Sequence, residues 1–443
     1  MKITPYIILL FAAFGAHAQE YGAQARPSTN TQLSRSAITP YSSLEEAAPN
    51  YEGATRYAIE VGEWEQMSAE GGAVEFRSSF ISPFAWVGRQ AFVSIESASA
   101  PYEVYVGGTL VGEAMNPSMP AEFKISGLLP SEEQTSIVII MQRDAQVSQL
   151  EAWGSDAMEL GRVVMLTQPT MYIRDVEVKT TRSAAGQLNA SVAIAVKSEA
   201  LNERTSRINY ELLTPQGRVV TRGYTDLTLD MRREDTLYMF AVIPDSLAWS
   251  AESPSLYRLN LSTQYRGHHL EYISLDLGLR SIEVAADGEL LINGESQALK
   301  GVEIPVSSTV EQMEAAKAAG LNIVKIAAGA HSEALCDYAD QHGLYVIATA
   351  PINTSHSGDD ILRGGNPTND PDRLAEYIER IDAIYHSTKQ HASVVAYSLA
   401  DSSLNGINLY EGYLYLKQRE DQRPIIYFDN GGEWNGDLLQ VEF

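Results

Sequence analysis

The stretch Ser393–Gly406, SVVAYSLADSSLNG, holds the densest run of groups able to do chemistry. Val394, Val395, Ala396, Tyr397 and Leu399 read as a buried parallel strand, which ends abruptly in Asp401, Ser402, Ser403, Asn405 and Gly406. In an α/β barrel the reacting groups sit where strands end, so a polar burst there marks a candidate site. One carboxylate can pair with a cation, accept hydrogen bonds or move a proton; a serine hydroxyl does not act as an acid at neutral pH. The remaining reactive residue types offer less. Cys336, the single cysteine, lies inside ALCDYADQHGLYVI on an amphipathic helix and reads as a small buried hydrophobe. His331 and His356 read as exposed loop histidines, and no His, Cys and carboxylate set has zinc spacing. Gly364-Gly365 and Gly431-Gly432 read as turns, not phosphate loops, and no Ser sits in G-x-S-x-G. Neither a metal site nor a cofactor follows from these patterns.

The whole chain bounds what such a site could serve. Its 443 residues suffice for two to three domains with sizeable cores. With 44% hydrophobic and 20% charged residues it is an ordinary globular sequence, which excludes disordered and fibrous classes. A net charge of -25 argues against nucleic acid and anionic membrane surfaces as partners. Residues 1–18, MKITPYIILLFAAFGAHA, read as a secretory signal peptide, with Lys2, an apolar Ile7–Phe14 and Ala16-His17-Ala18 before Gln19. That apolar run is too short to span a bilayer, and no later one replaces it. The expected destination is periplasmic or extracellular.

The elements that must position the site fall into blocks. Residues 19–50, rich in Ser, Thr, Ala, Gln and Pro, read as a flexible leader or an extended arm along the first domain. From 51 to 178, short alternating runs (Val74–Phe80, Phe92–Ile95, Glu103–Val106, Ile137–Met141, Val163–Leu166) predict an antiparallel β-sandwich. From 179 to 278, alternation in Ala190–Val196, Ile208–Leu213 and Val219–Gly223 predicts an immunoglobulin-like sandwich. From 279 to 443 strands and helices alternate. Ser308 or Thr309 opens a helix with Glu311 or Gln312 completing a capping box, and Asp372–Gln390 forms a long helix leading into Ser393–Leu399. Five strands and four helices are expected there.

Ser393–Gly406 resembles the catalytic-acid strand of glycoside hydrolase family 2, the β-galactosidase, β-glucuronidase and β-mannosidase family, whose usual form is S-V-x-x-W-S-L-G-N-E. Tyr397 stands at the Trp, Asp401 at the Asn and Ser402 at the acid/base Glu. Val104–Glu113, VYVGGTLVGE, resembles the V-Y-V-N-G-x-x-V-G of the family's sugar-binding jelly roll. Trp249-Ser250-Ala251-Glu252-Ser253-Pro254-Ser255-Leu256-Tyr257 matches W-S-x-E-x-P-x-L-Y of its immunoglobulin-like domain. Leu291-Ile292-Asn293-Gly294 and Leu299-Lys300-Gly301-Val302 resemble the entrance to its barrel. The resemblance implies a multidomain β and α/β fold: a jelly-roll β-sandwich, an immunoglobulin-like β-sandwich and a truncated, about five-stranded TIM-like β/α barrel.

It also implies a site. The jelly roll's closing segment carries an Asp reaching the barrel's sugar, and Asp156 is the nearest match. Lys325 and Ala328 replace a sugar-contacting Arg and a His, Asn353 replaces a carboxylate in the loop that holds His356, and Pro305 replaces another His. The implied ligand-binding set is Asp401, Asn405, Lys325, Asn353, His356 and Asp156. No catalytic residue is assigned, since Ser402 fills the acid/base position and Asp401 is a weak substitute. Retaining hydrolysis needs two carboxyl groups about 5–5.5 Å apart. The nucleophile belongs to a later strand, and residues 279–443 are too few for a complete barrel of roughly 250 residues. The expectation is an exported, non-catalytic family member, a pseudoenzyme, binding a glycan or an envelope protein. The alternative is an active, β-galactosidase-like enzyme using atypical residues or a half supplied by another chain. Open sheet edges imply a covering partner or homo-oligomer.

Overall fold

Period-two burial sets the architecture of the first two units. In Tyr102–Val106 the side chains of Tyr102, Val104 and Val106 are buried while Glu103 and Tyr105 turn outward, and Gln134–Met141 alternates in the same way. The computed structural model describes residues 26–48, 51–144, 147–151, 157–183, 186–305, 309–327, 333–428 and 435–443. The expected signal peptide lies outside these residues. A five-stranded antiparallel sheet runs Glu65–Ser68, Val74–Ile81, Gln134–Met141, Tyr102–Val106, Thr109–Ala114. It packs on a four-stranded sheet of Ala58–Glu60, Val163–Gln168, Gln90–Ile95 and Ala121–Lys124 around Val93, Val104, Phe123 and Ile139.

The second sandwich joins Met171–Arg182, Leu188–Ser198 and Glu234–Ile243 to a sheet of Val219–Leu229, Arg204–Leu213, Tyr257–Tyr265 and His268–Leu277. Ile173-Arg174-Asp175-Val176, which fall inside the 51–178 block expected to form the first sandwich, open the second instead. The strand that carries them pairs from Met171 to Arg182 with Leu188–Ser198. Of the two expectations for residues 19–50, residues 26–48 follow the extended arm and not the flexible leader, and they reach beyond the first domain. Thr29 and Thr31 bridge to Glu113 and Phe123 of the first sandwich, and Tyr41 bridges to Tyr272 of the second. The Arg26 amide donates to Glu376 of the third unit at 3.0 Å. This arm laces all three units together.

The third unit is a parallel sheet in chain order: β1 (Gly301–Ile304), β2 (Ile323–Ile326), β3 (Tyr345–Thr349), β4 (Val394–Ser398) and β5 (Ile425–Ile426). Four helices accompany it: α1 (Val310–Ala318), α2 (Glu333–His342), α3 (Leu374–Thr388) and α4 (Ile407–Lys417). The Gln312 side chain accepts the Thr309 amide at 3.1 Å, the capping box expected at the start of α1. Gly343 ends α2 at φ 72°, where a Cβ would stand 2.0 Å from the Ala251 carbonyl oxygen, so only glycine fits. One face of the sheet packs Val324, Val346 and Tyr397 under the helices. The other packs Ile323, Tyr345, Ile347 and Ala396 with Trp249 and the hairpin residues Leu290 and Ile292. Trp249 is fully buried, and its Nε1 donates to the Asp340 carbonyl at 2.9 Å. The family motif read as an anchor of the second sandwich thus also plugs the base of the parallel sheet.

Both outer strands of that sheet meet the chain's own residues 435–443. The Asp437 amide donates to the Ile425 carbonyl at 2.6 Å, the Glu442 amide to the Leu299 carbonyl at 3.0 Å, and the Gly301 amide to the Glu442 carbonyl at 2.8 Å. At these positions the edges are covered from within, which removes the edge-based reason for a partner there. No helix among the described residues is long and apolar enough to cross a membrane.

Candidate functional site at the carboxyl ends of the parallel strands

Register brings the first charged pair together. Glu303 of β1 and Lys325 of β2 are in-register neighbours, so their side chains leave the same face of the sheet. The Lys325 ammonium lies 2.7 Å from Glu303 Oε2 and also donates to Asp401 Oδ1. Lys325 and Asp401 are buried, whereas Glu303 is half exposed. Burial alone would pull the Lys325 ammonium down, but the charges and hydrogen bonds of Asp401 and Glu303 outweigh it and hold the ammonium above its ordinary value. The Asp401 carboxylate is thus an ion-pair partner at the core of the site.

Backbone contacts fix Asp401 in place. Its amide donates to the Ile352 carbonyl at 2.8 Å, and it forms a parallel bridge with Asn353 in the loop after β3. Ser403 locks the same corner: its hydroxyl accepts the Thr354 amide at 3.0 Å and donates to the Asp401 carbonyl at 2.8 Å. Tyr427, just past β5, donates to the Ser403 carbonyl. Between these anchored residues, Ser402 is exposed at φ 36°, in the left-handed region that a serine occupies at a cost of about 1–2 kcal/mol. Ser402 is therefore presented to solvent at the strand end, without a hydrogen-bond partner for its hydroxyl among the described residues.

The other implied residues are placed unequally. Asn353 reaches Asp401 through its backbone, while its side chain accepts the Ser355 amide at 3.1 Å and hydroxyl at 2.7 Å. Asn405 pairs with the buried Asn435, each amide donating to the other at 3.1 and 2.6 Å. His356 stays exposed on the β3 loop. Asp156, Ala328 and His331 lie outside the described residues. Tyr397, at the family's Trp position, points to the helices and meets Tyr385 at 5.6 Å between ring centroids. Its side chain is packing, not site.

Sequence reasoning missed Glu303; it named Ser403 in the polar burst without its bridging role, and it read the close of the first sandwich as reaching the site without the contacts that Val147–Glu151 makes there. That segment brings the first sandwich to the site: the Leu150 carbonyl accepts the Asn353 amide at 2.6 Å, and Ser357 Oγ donates to the Gln149 carbonyl at 2.9 Å. Buried arginines of the third unit clamp it, Arg373 to Gln149 at 2.8 Å and Arg380 to Glu151 at 2.9 Å. Strand-end position was the available signal for Glu303; no sequence signal linked Glu151 to Arg380, 229 positions away. A metal-capable cluster was also not foreseen. Asp337, Asp340 and His391 hold ligand atoms within 4.8 Å of one another at the opposite end of the strands. His391 Nδ1 is 2.8 Å from Asp340 Oδ2, and Asp340 Oδ1 accepts the Ser393 amide at 2.7 Å, so these groups already satisfy one another.

Two sandwiches leading into a parallel α/β sheet, with polar groups at its carboxyl ends, define a multidomain β and α/β scaffold whose site belongs at the strand ends. Comparison with known proteins agrees. The TIM barrel domain model of glycosyl hydrolases family 2 matches residues 289–441, and another model of glycosyl hydrolases family 2 matches residues 171–280. The chain is a glycoside hydrolase family 2-like protein. It is 24% identical over 376 residues to a β-galactosidase of Psychromonas ingrahamii, covering 81% of this chain and 36% of that one. It is 23% identical over 377 residues to a β-galactosidase of Priestia megaterium, covering 80% and 36%. The chain spans about a third of the length of these curated relatives. Among solved structures, a β-glucuronidase of Bacteroides uniformis superposes with a TM-score of 0.68 at 15% identity, over 90% of this chain and 52% of that one. A β-D-glucuronidase of Dictyoglomus thermophilum gives 0.66 at 18% identity, over 85% and 73%. At such identities the superpositions establish the fold.

Proposed function

We propose that this chain is directed at β-linked glycosides, which it engages at the carboxyl ends of β1–β5, and that it supplies binding groups there, not the proton donor. The observation that carries this reading is the pairing of Asp401 with buried Lys325 next to a solvent-facing Ser402. A glycosidase acid must keep a proton and hand it to the leaving oxygen. A carboxylate that accepts from an ammonium has none to give. Export by residues 1–18, and a glycan or envelope protein as the bound partner, belong to the same proposal.

A second reading, retaining hydrolysis of β-galactosides, is favoured by the relatives, which are named β-galactosidases. In that case the pair of carboxyl groups comes partly from outside the groups described above, or from another chain. The discriminating experiment exposes the purified protein to nitrophenyl β-galactoside and β-glucuronide, following nitrophenol release and binding heat together. Binding with no nitrophenol supports the first reading; turnover abolished in Asp401→Ala supports the second. An absence of both would overturn each.

A further inference from the structure

We propose that the second sandwich pairs with a second copy of this chain along the strand Glu234–Ile243, joining two three-stranded sheets antiparallel across a two-fold axis. This contact does not depend on the sugar site. An unpaired edge strand offers a row of free N–H and C=O groups, which folded chains cover, shorten or guard with charge. Residues 435–443 cover both outer strands of the parallel sheet. Thr29, Thr31 and Tyr41 of the arm bridge to the edges Thr109–Ala114, Ala121–Lys124 and His268–Leu277. On the edge Met171–Arg182, the Val176 carbonyl accepts from Ser36 Oγ at 3.0 Å and from Gln390 Nε2 at 3.2 Å. The edges Ala58–Glu60, Glu65–Ser68, Ile282–Val284 and Glu295–Gln297 are three or four residues long. Val219–Leu229 is guarded by Arg222 and by Asp226, which pairs with Arg207 at 2.7 Å.

Glu234–Ile243 has none of these defences. It is 10 residues long and ends its sheet, so every second residue aims its N–H and C=O away from Leu188–Ser198. Among the described residues, no donor outside Leu188–Ser198 reaches its carbonyls. From Thr236 to Ile243 it carries no charge, proline or glycine. Tyr238, Phe240 and Val242 stand on its outer face, each more than half exposed, and the two rings stack with centroids 6.5 Å apart. Ala193 and Ser191, beside those rings on the next strand, are too short to shield them. A long, apolar, uncharged edge of this kind is a template for another strand. Charge then selects the occupant's direction. Glu234, paired with Arg174 at 2.8 Å, and Asp235 both sit at the strand's start. A parallel copy would lay acid on acid in a chain whose net charge is already -25. An antiparallel copy sets them at the far end, where Arg182 neutralises Asp245 at 2.7 Å. It also brings the Tyr238 and Phe240 rings of the two copies together as cross-strand aromatic pairs. One strand thus supplies both halves of the contact, as a closed two-fold dimer requires.

Sedimentation equilibrium of the intact chain over roughly 1–50 µM tests this, since a micromolar Kd shows there as a monomer–dimer shift. A dimer is expected. Phe240→Lys, at an exposed position, should weaken it at least about tenfold with far-UV circular dichroism unchanged, because an edge lysine blocks pairing. Phe84→Lys, at an equally exposed aromatic of the first sandwich, should not. Cys336 is buried, so an introduced thiol reports alone. Tyr238→Cys or Phe240→Cys, near the strand's middle, should crosslink to its own copy under mild oxidation, and Glu234→Cys should not; these decide the matter if Phe240→Lys unfolds. A monomer at every concentration overturns the proposal and leaves the edge to a strand from another protein. A dimer indifferent to Phe240→Lys overturns this edge as the contact, and crosslinking through Glu234→Cys overturns its antiparallel direction.

Discussion

The two ends of the parallel sheet are built on opposite terms. At the amino end of β4, Trp249 is sealed against Tyr345 with ring centroids 6.0 Å apart, and Arg280 Nη2 donates to the Val394 carbonyl at 2.6 Å. His391, Asp340 and Ser393 satisfy one another beside them. At the carboxyl end a buried lysine is tied to two acids beneath a solvent-facing serine and histidine. The base joins domains through packing and mutually bonded polar groups; the carboxyl end keeps polar groups at the surface but spends its central carboxylate on an ion pair. The architecture of a glycosidase scaffold can therefore persist at one end while the chemistry at the other depends on a few side chains.

The sharpest way to break this contrast is at the base. Trp249→Ala should cost about 4 kcal/mol, since it empties a fully buried site joining two units, and denaturant unfolding would measure it. A loss below about 1 kcal/mol would mean that the base is not the scaffold's anchor.

At the carboxyl end, Asp401→Ala leaves Lys325 buried with only half-exposed Glu303 to pair it. The expected loss is about 3 kcal/mol, and the double variant Lys325→Met, Asp401→Leu should recover most of it. No recovery would show that Asp401 acts through its backbone corner and not through its charge.

The smallest effect is in pH. Burial would lower His391, but Asp340, followed by Asp337 and Glu333, raises it above the usual imidazole value. A raised folded value means stability that is fully present below pH 6.5 and lost as pH climbs through the folded pKa. Glu271, buried where the sandwiches meet, is pushed up to about 7 by desolvation, so its own loss falls between pH 4.5 and about 7. Unfolding free energies measured from pH 5 to 9 should decline across both windows, with Glu271→Gln flattening the lower and His391→Gln the upper. A stability that rises with pH above 7 would contradict the His391 assignment.

Much of this was readable beforehand because it is local. Alternation located the sandwich strands, and the βα rhythm located five parallel strands and four helices. The W-S-x-E-x-P-x-L-Y stretch was recognisable from residue types alone, but its role was not. Trp249 and its partner Asp340 stand 91 positions apart, and only the folded chain shows Trp249 plugging the parallel sheet. The same limit hid Glu303, whose weight comes from register with Lys325, and the role of Ser403, whose hydroxyl holds two loops. Residues 26–48 have a disordered-looking composition, yet bridges and side-chain contacts to three units order them. Asp401 was visible in the sequence as part of the polar burst, but its commitment to Lys325, 76 positions earlier, required the structure.

A crystal structure of the protein soaked with an intact β-galactoside tests the central claim most directly. The account predicts an uncleaved sugar at the carboxyl ends of β1–β5, beside Ser402 and the Lys325–Asp401 pair, with that pair unbroken. A cleaved product there, a covalent sugar adduct, or a sugar bound only elsewhere would contradict it.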